Sequence, residues 1–476
     1  MKEDREKYPI LNMLYLGISV VAIAVVLLQK DTGVYRDLAV LPLIFGMMCG
    51  ISVWMRSDFL GSWAALILSG GYLIRMAVTP MLFALCGYQT FFYTVEMTRA
   101  VMTKSILMMS MECIVVLSVC MFFGKKYRAE PRAIDYEGYT DSAVLRVVGI
   151  LGICLVAAML LVPVLIELYR PFFMVSLSES IDIIWDNDTI IPRGTIQRYI
   201  YTLFVFTWPV VRMLLPAALI WASVKKFGTS GKSLFLSLLS LLTPFLLLSG
   251  DSMGPILASG LGLIMIIRIY GKKAEKPFLC VLGAAAAAVA ALVVAKGLSW
   301  SGWKGTRGLA IPAQLFQAYL PGFDNTALML MIENPHKLET LFFDVYYAVP
   351  FKTTLFGFEG TYLQDLFTQV SQTGAQIMPF TAQVGHYTTP FLAPFVTGAM
   401  AWLAIWTEHR MKTTERYWNA YLLIVISVIT AMSVHMYSAS IYLDYAVSSF
   451  LCVFLVTSFS RPKKKKSENN LRNMDA

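Results

Sequence analysis

The sequence predicts an all-α polytopic membrane protein with about twelve transmembrane helices and a large extracytoplasmic loop of short helices between the ninth and tenth spans. Two observations carry this prediction. Of the 476 residues, 57% are hydrophobic and only 14% are charged, and the mean hydropathy is +0.64. Apolar stretches of about 18 or more residues, enough to cross a hydrocarbon core of about 30 Å, recur along the whole chain. No soluble core could bury this much apolar surface.

The apolar stretches set the order of the elements. We place the spans near residues 10–28, 38–55, 60–86, 104–124, 143–167, 199–223, 233–249, 253–270, 277–297, 387–406, 418–436 and 440–459. The chain then divides into a bundle of spans one to nine at 1–297, an extracytoplasmic loop subdomain at 298–386, spans ten to twelve at 387–460, and a basic cytoplasmic tail at 461–476.

The basic residues indicate the orientation of these spans. The net charge is +9, and the Lys and Arg residues cluster in short loops between alternate spans and in the tail "RPKKKK". Cytoplasmic loops carry such an excess, so we expect both termini in the cytoplasm. The charge is therefore an orientation signal, and nucleic acid is not an expected partner.

Cysteines and soluble-enzyme motifs give no sign of a metal or a cofactor. The seven cysteines lie in hydrophobic segments without CxxC spacing, which predicts neither a disulfide framework nor a zinc site: Cys49, Cys86, Cys113, Cys120, Cys154, Cys280 and Cys452. The sequence has no GxGxxG after a strand, no P-loop, no HExxH and no GxSxG. We expect no cofactor, and chemistry carried by polar residues in or beside the membrane.

Two segments outside the membrane are long. One covers residues 169–197 and the other 297–386, which contains "LFQAYLPGFDNTALMLMI" and "KLETLFFDVYYAVP". Loops of this length are usually functional. In the second segment, the helical spacing of the apolar residues predicts short amphipathic helices lying on the outer membrane surface.

Ionisable residues in or near spans are costly and are functional candidates by default. They are Arg75, Glu112, Arg212, Asp251, Arg268, Lys296 and His435. Arg268 and Lys296 lie near span ends, where a long side chain can also snorkel to the surface. Arg75 and Arg212 lie deeper. Each can form a structural bridge to Glu112 or Asp251, or bind an anionic group from the outer leaflet, since the planar guanidinium matches phosphate.

The outside loops carry further cations among aromatic and apolar residues. They are Arg170, Arg193, Arg198, Lys304, Arg307, Lys337 and Lys352. Their number favours an anionic ligand held at the membrane surface, although solvated loop charges explain part of the set.

Two loop residues are candidates for proton transfer. Asp324, in "PGFDN", either caps the following helix together with Asn325 or acts as a general base on a sugar hydroxyl. His386, in "QVGHYTTP", is either a structural interface histidine or an alternative base. Neutral side chains such as that of Gln383 are suited to hydrogen bonding with sugars.

The order of these features resembles the Wzy-type polymerases of O-antigen or oligosaccharide repeat units, near the enterobacterial common antigen polymerase branch. The motifs are "LPGFDNTALMLM", "FFDVYYAVP" and "GAQIMPFTAQVGHYTTPFLAPFVTGAM", before the last spans. The matching positions are Lys296, Asp324, Asn325, Asp344, Tyr346, Pro350, Pro379 and Gly398. One departure is "LLSGDSMGP", which lacks an Arg often found there, so Arg75, Arg212 or Arg307 would supply the charge.

The resemblance implies a glycosyltransferase in the bacterial plasma (inner) membrane. It would transfer a glycan from undecaprenyl pyrophosphate to the next lipid-linked repeat unit at the outer face of the membrane. Expected partners are this lipid-linked oligosaccharide, the lipid bilayer, a chain-length regulator and a flippase. Asp324, Arg307 and His386 would be catalytic. The substrate-binding residues would be Arg75, Arg212, Lys296, Lys304, Asn325, Asp344, Lys352 and Gln383.

Two other functions stay open on the sequence. A transporter or flippase of lipid-linked oligosaccharides also suits many spans with buried Arg residues, although carriers usually show paired halves and the long loop here is asymmetric. An O-antigen ligase would use the same lipid donor, but its usual His-bearing motif is not reproduced around His386.

Overall fold

The computed structural model describes the greater part of the chain, including Asp324, Asp344 and His386. The described residues are 10–29, 33–57, 59–88, 97–127, 131–136, 139–140, 142–168, 170–171, 195–246, 248–249, 253–271, 273–274, 313, 316–317, 319–349, 360–372, 377–436, 438–459 and 461–462.

The protein is a helical membrane protein, as the sequence predicts. In the described part of the chain, 8 helices are long and apolar enough to cross a membrane: Ile10–Leu28, Gly33–Trp54, Trp63–Leu85, Arg99–Lys126, Ala143–Leu161, Ile196–Phe227, Tyr417–Met436 and Ala439–Ser458. Two shorter apolar helices, Gly231–Leu246 and Gly254–Tyr270, coincide with the seventh and eighth predicted spans. The ninth, 277–297, lies outside the described residues, so the total of about twelve stays a prediction.

The described residues form two compact units. The first lies within Met1–Ala129, Val281–His409 and Ile426–Tyr445. Its α-helices are α1 (Ile10–Leu28), α2 (Val40–Trp54), α3 (Trp63–Tyr72), α4 (Thr79–Leu85), α5 (Arg99–Lys126), α12 (Phe323–Leu330), α13 (Lys337–Tyr347), α14 (Leu363–Ser371), α15 (Phe380–Tyr387), most of α16 (Ala393–Thr413), part of α17 (Tyr417–Met436) and α18 (Ala439–Tyr445). A π-helical segment, Leu73–Val78, joins α3 to α4.

The second unit lies within Glu130–Cys280, Arg410–Val425 and Ala446–Ala476. Its helices are α6 (Ser142–Leu161), α7 (Val164–Leu168), α8 (Ile196–Phe227), α9 (Gly231–Ser240), α10 (Thr243–Leu246), α11 (Met253–Tyr270), a π-helical segment (Ala446–Leu451) and α19 (Cys452–Ser458), with the remainders of α16 and α17. Within the described residues of this unit, four two-residue strands form antiparallel pairs, β1 (Tyr139–Thr140) with β4 (Arg461–Pro462) and β2 (Arg170–Pro171) with β3 (Leu248–Ser249).

Local sequence signals set the helix starts in the first unit. Ser62 has extended backbone angles and its hydroxyl accepts from the Ala65 amide, and Thr98 does the same for the Val101 amide. These are ordinary N-caps, which satisfy an amide that the helix leaves free. The Glu408 carboxylate accepts hydrogen bonds from the Ser62 hydroxyl and from the Ala64 amide, so α16 is bonded to the start of α3.

Helix α12 differs from the expected surface helix. Every residue from Phe323 to Met329 is buried, and the helix packs against α5, α14 and α15. The expectation that all the loop helices lie on the membrane surface is therefore wrong for α12, because this short helix is covered on all sides by its neighbours. Helix α13 has two different faces, with Phe343 buried on one and Leu338 and Phe342 exposed on the other, and its place on the membrane surface stays a prediction.

Helix α16 begins later than the sequence predicts. The tenth span was placed from residue 387, but the helix begins at Ala393, and residues up to Tyr387 belong to the separate helix α15. Pro390 lies at this break, and Pro394 is the second residue of α16. Proline disfavours helical geometry at the residue before it and cannot donate a helical hydrogen bond, which explains why the two helices do not join.

Candidate functional site

A buried charge pair lies inside the first unit. The Arg75 Nη1 donates to the Glu112 Oε1 at 2.7 Å, and each residue is only 1% exposed. The Arg75 Nε donates to the Pro321 carbonyl at 2.8 Å, and Nη2 lies 3.5 Å from the Glu112 Oε2. The alternative of a bridge between Arg75 and Glu112 is therefore the arrangement observed. Each guanidinium nitrogen has a protein partner, which leaves none of them unpaired for an outside anion.

Two further residues complete this pair. The Tyr72 hydroxyl donates to the Glu112 Oε1 at 2.8 Å. The His435 ring lies with Nδ1 at 3.2 Å from the Arg75 Nη1 and Nε2 at 2.8 Å from the Leu68 carbonyl. Because Arg only donates and a carbonyl only accepts, Nδ1 must be the acceptor and Nε2 must carry the proton. His435 is thus held as the neutral tautomer.

The Asp324 carboxyl lies in the first turn of α12 and is fully buried. Its Oδ2 accepts a hydrogen bond from the Gln317 Nε2 at 2.8 Å, and no partner is found for its Oδ1 among the residues that the structure describes. The neighbouring Asn325 amide donates to the carbonyls of Gln317 and Ile377. The cap of α12 is Gly322, without a side-chain bond, so Asp324 and Asn325 do not act as its N-cap.

Burial raises the pKa of Asp324 from 3.8 to about 7, since the charged form loses its hydration, and hydrogen bonds from Tyr35 and Gln317 offset part of this rise. Such a carboxyl changes charge near neutral pH. A group of this kind is suited to taking a proton from a hydroxyl and releasing it again.

The Asp344 carboxyl joins three of the loop helices. Its Oδ1 accepts from the Leu363 amide at 3.1 Å, while its Oδ2 accepts from the Gln383 Nε2 at 2.9 Å and from the Tyr387 hydroxyl at 2.6 Å. Burial raises the pKa of Asp344, and these three bonds lower it. The Gln383 Oε1 in turn accepts from the Ala439 amide at the start of α18. Asp344 and Gln383 thus connect α13, α14, α15 and α18.

His386 lies nearer the surface than Asp324. It is 8% exposed, its Nε2 lies 3.5 Å from the Asn334 Nδ2, and its ring packs edge-on against Tyr387. Burial and the positive charge of Lys337 lower the pKa of His386. The imidazole is therefore neutral at pH 7 and able to accept a proton.

Arg212 lies in the second unit. It is buried, 5% exposed, on α8. A Cβ placed on Gly254 of α11 would lie 1.7 Å from the Arg212 Nη2, so the absence of a side chain at this glycine makes room for the guanidinium. Arg268 does not extend freely: its Nη2 donates to the carbonyls of Arg132, Lys412 and Thr414.

The structure therefore brings Asp324, Asn325, Asp344, Gln383 and His386 into one unit together with Arg75, and it assigns Arg212 to the other unit. Four further predicted residues lie outside the described residues: Lys296, Lys304, Arg307 and Lys352. Within the described ranges no group of three or more His, Cys, Asp or Glu side chains could hold a metal ion.

Sequence reasoning missed three contributors to these sites. Gln317 and Tyr35 hydrogen-bond Asp324, and Pro321 accepts from Arg75. Gln317 and Tyr35 are ordinary polar residues next to apolar runs, and their spacing from Asp324 gives no periodic signal. Pro321 acts through its backbone carbonyl, which no residue type reveals.

No protein-family model matches the chain, and neither a curated protein nor a solved structure is significantly similar to it. The resemblance to the polymerases therefore depends on the short motifs around Asp324, Asp344 and Pro379.

Proposed function

We propose that this protein polymerises lipid-linked oligosaccharide repeat units at the outer face of the bacterial plasma membrane. It would transfer a glycan from undecaprenyl pyrophosphate to the next lipid-linked unit, and so act as a membrane glycosyltransferase. The products would be O-antigen, capsule or related polysaccharides of the cell envelope. The bilayer would hold both polyprenyl tails, so the apolar bulk of the chain would be part of its substrate site.

The observation that carries the proposal is the Asp324 carboxyl. It belongs to the "PGFDN" motif, lies in a short helix next to the apolar bundle of the first unit, and has a pKa of about 7. General bases work best when their pKa is close to the ambient pH, because they are then both deprotonated and basic enough. An ordinary aspartate would be a weaker base by about three pKa units.

In this reaction the free hydroxyl of the acceptor sugar attacks the anomeric carbon of the donor glycan. The bond from that carbon to the pyrophosphate oxygen breaks, undecaprenyl pyrophosphate leaves, and the hydroxyl proton passes to Asp324. Lys296, Lys304, Arg307 and Lys352 are assigned to the developing charge on the leaving group. Because Asp324 is fully buried, the acceptor sugar would have to enter beside α12 and exclude water there, so that the carboxyl stays desolvated and its pKa stays raised.

The matched test compares two aspartates of the loop. Asp324→Asn removes the buried carboxyl, whereas Asp365→Asn removes an exposed one on α14. In a deletion strain complemented with each variant, we expect Asp324→Asn to lower polymer formation by about 100-fold or more. Asp365→Asn should restore the full ladder of chain lengths. The measurement is a glycan gel, with protein levels checked by immunoblot. Wild-type chain lengths from Asp324→Asn would exclude it as the base.

A second candidate, transport of lipid-linked oligosaccharide, is favoured by the complete burial of Asp324. A buried carboxyl that titrates near neutral pH beside an apolar bundle is also typical of proton-coupled carriers. The deletion strain separates the functions by where glycan accumulates. Single repeats at the outer surface indicate a lost polymerase, repeats retained on the inner leaflet indicate a lost flippase, and finished polymer left on its lipid carrier indicates a lost ligase.

A further inference from the structure

We propose that Arg75 is a positioning residue: Glu112 holds its charge, and its Nε–H fixes the Pro321 carbonyl and thereby the place of helix α12 and of Asp324. The buried charge pair would thus act on a helix outside the spanning helices that carry it.

The contacts of the Arg75 guanidinium fix its direction. Its Nη1 and Nη2 face Glu112, at 2.7 Å and 3.5 Å, which leaves Nε as the donor on the other edge. That donor meets the Pro321 carbonyl at 2.8 Å. The Nδ1 of neutral His435 accepts from Nη1 as well, so the plane of the guanidinium is fixed on several sides.

The backbone of Arg75 is not an ordinary α-helix. It lies in the π-helical segment Leu73–Val78, between α3 and α4. A π-helical turn inserts one extra residue and rotates the side chains that follow it, and such turns are frequent at functional sites. Next to this segment, a Cβ on Gly71 would lie 2.1 Å from the His435 ring, so the glycine lets the imidazole approach the helix.

The start of helix α12 is bonded to the spanning helices. Pro321 stands two residues before Phe323, the first residue of that helix, and the Ser105 hydroxyl donates to the Phe323 carbonyl at 2.5 Å. Two side chains of the spanning bundle, Arg75 and Ser105, therefore bond the backbone on either side of Gly322. Asp324 follows directly.

The side chain at position 75 has to be arginine for this task. Lysine carries the same charge and can pair with Glu112, but it has one nitrogen and no planar fork. It cannot hold the Glu112 carboxylate and the Pro321 carbonyl with two separate edges. Arg75→Lys therefore separates charge pairing from positioning.

The experiment measures amide hydrogen exchange of residues 323–330 in the purified full-length protein in detergent. We expect Arg75→Lys to lower the protection of these amides by at least about tenfold, since hydrogen bonds from charged donors contribute this much or more. The matched control is Arg99→Lys, at an exposed arginine that lies 3.7 Å from Asp37. It should leave the protection of α12 unchanged.

A second variant covers the case in which Arg75→Lys fails to accumulate. The double variant Arg75→Met with Glu112→Gln leaves no charge unpaired in the bundle and also removes the bond to Pro321. It should lower the protection of residues 323–330 in the same way. Unchanged protection in whichever variant accumulates overturns the positioning role.

Activity gives a readout that depends on the proposed polymerase function. A looser α12 lets water reach Asp324, so its pKa falls and the acid limb of polymer formation moves to lower pH in Arg75→Lys. Reduced protection together with an unmoved pH profile overturns the link from Arg75 to Asp324. If Asp324→Asn polymerises normally while α12 loses protection in Arg75→Lys, the positioning inference stands and the proposed function fails.

Discussion

At the scale of single residues, burial decides the chemistry of Asp324. The carboxyl has a hydrogen bond from Gln317, yet its pKa rises to about 7 because desolvation outweighs the bonds that favour the charge. The folded protein thus binds a proton that the unfolded chain releases at lower pH. The stability contributed by protonated Asp324 is complete below pH 3.8 and is lost as the pH rises to about 7.

The variant Asp324→Asn tests whether Asp324 lowers the stability of the protein as the pH rises. Asparagine stays neutral, so the variant should gain stability relative to wild type as the pH rises from 4 to 8, by at most about 4 kcal/mol. The measurement is the difference in apparent melting temperature in detergent at each pH. The exposed Asp365→Asn serves as the control for loss of one carboxylate. A difference between Asp324→Asn and wild type that stays constant with pH would show that Asp324 does not titrate in this range.

The sequence could single out Asp324 but not its surroundings. An acid between a Pro-Gly turn and an apolar run is unusual, and that pattern is local. Its burial and its bond to Gln317 depend on how α12 packs against α5, α14 and α15, which is tertiary. Similarly, Arg75 and Glu112 stand out as charges in apolar runs. Only the packed bundle shows that they face each other rather than a ligand.

At the scale of elements, the contact between α8 and α11 is set by a glycine. Helix α8 contains Pro209 and Pro216 and carries the buried Arg212 on the segment between them. Gly254, near the start of α11, lies so close that any side chain there would collide with the guanidinium. The sequence indicates that Arg212 lies deep within a predicted span, which makes it a functional candidate. It gives no sign that Gly254 makes room for its guanidinium.

Gly254→Ala should therefore destabilise the protein, by about 1 to 3 kcal/mol, because the added methyl group forces Arg212 or the helices apart. Gly260→Ala on the same helix is the matched control, since nothing lies within 4 Å of a Cβ at that position. Alanine there should be neutral or slightly stabilising, as helix propensity favours it over glycine. Apparent melting temperatures in one detergent compare the two. Equal changes in melting temperature for the two variants would mean that Arg212 moves away from position 254 without loss of stability.

Among the loop helices, the spacing of apolar residues predicts the structure well where one face of the helix is buried and the other is exposed. Helix α13 exposes Leu338, Phe342 and Val345 on one face and buries Phe343 and Tyr346 on the other. It failed for α12, where polar Asp324, Asn325 and Thr326 are buried together with apolar neighbours. Periodicity indicates which face of a helix is polar, but this signal is lost where polar side chains are buried and bond the Gln317 side chain or the carbonyls of Gln317, Ile377 and Gly322.

At the scale of the whole molecule, the apolar spans were predictable because crossing a membrane imposes length and composition directly. The described helices Ile10–Leu28, Arg99–Lys126 and Ile196–Phe227 contain or match predicted spans. The grouping of segments was not predictable. The first compact unit unites the N-terminal helices with residues after 281, and the second unites residues 130–280 with parts of the C-terminal helices. This grouping of segments depends on contacts between residues far apart in the sequence. Hydropathy carries no information about such contacts.

The orientation across the membrane is the expectation on which the proposed chemistry depends most. The distribution of Lys and Arg predicts that the loop with α13 faces outward and that the segment between α8 and α9, with the first turn of α9, faces the cytoplasm. Lys337 and Lys232 are exposed residues in these two places. Each can be replaced by cysteine in a background without the native cysteines. A membrane-impermeant maleimide applied to intact spheroplasts should label Lys337→Cys at once, but Lys232→Cys only after permeabilisation, because the reagent cannot cross the bilayer. Labelling of Lys337→Cys only after permeabilisation would place Asp324 and His386 on the wrong side of the membrane for polymerising exported glycan units.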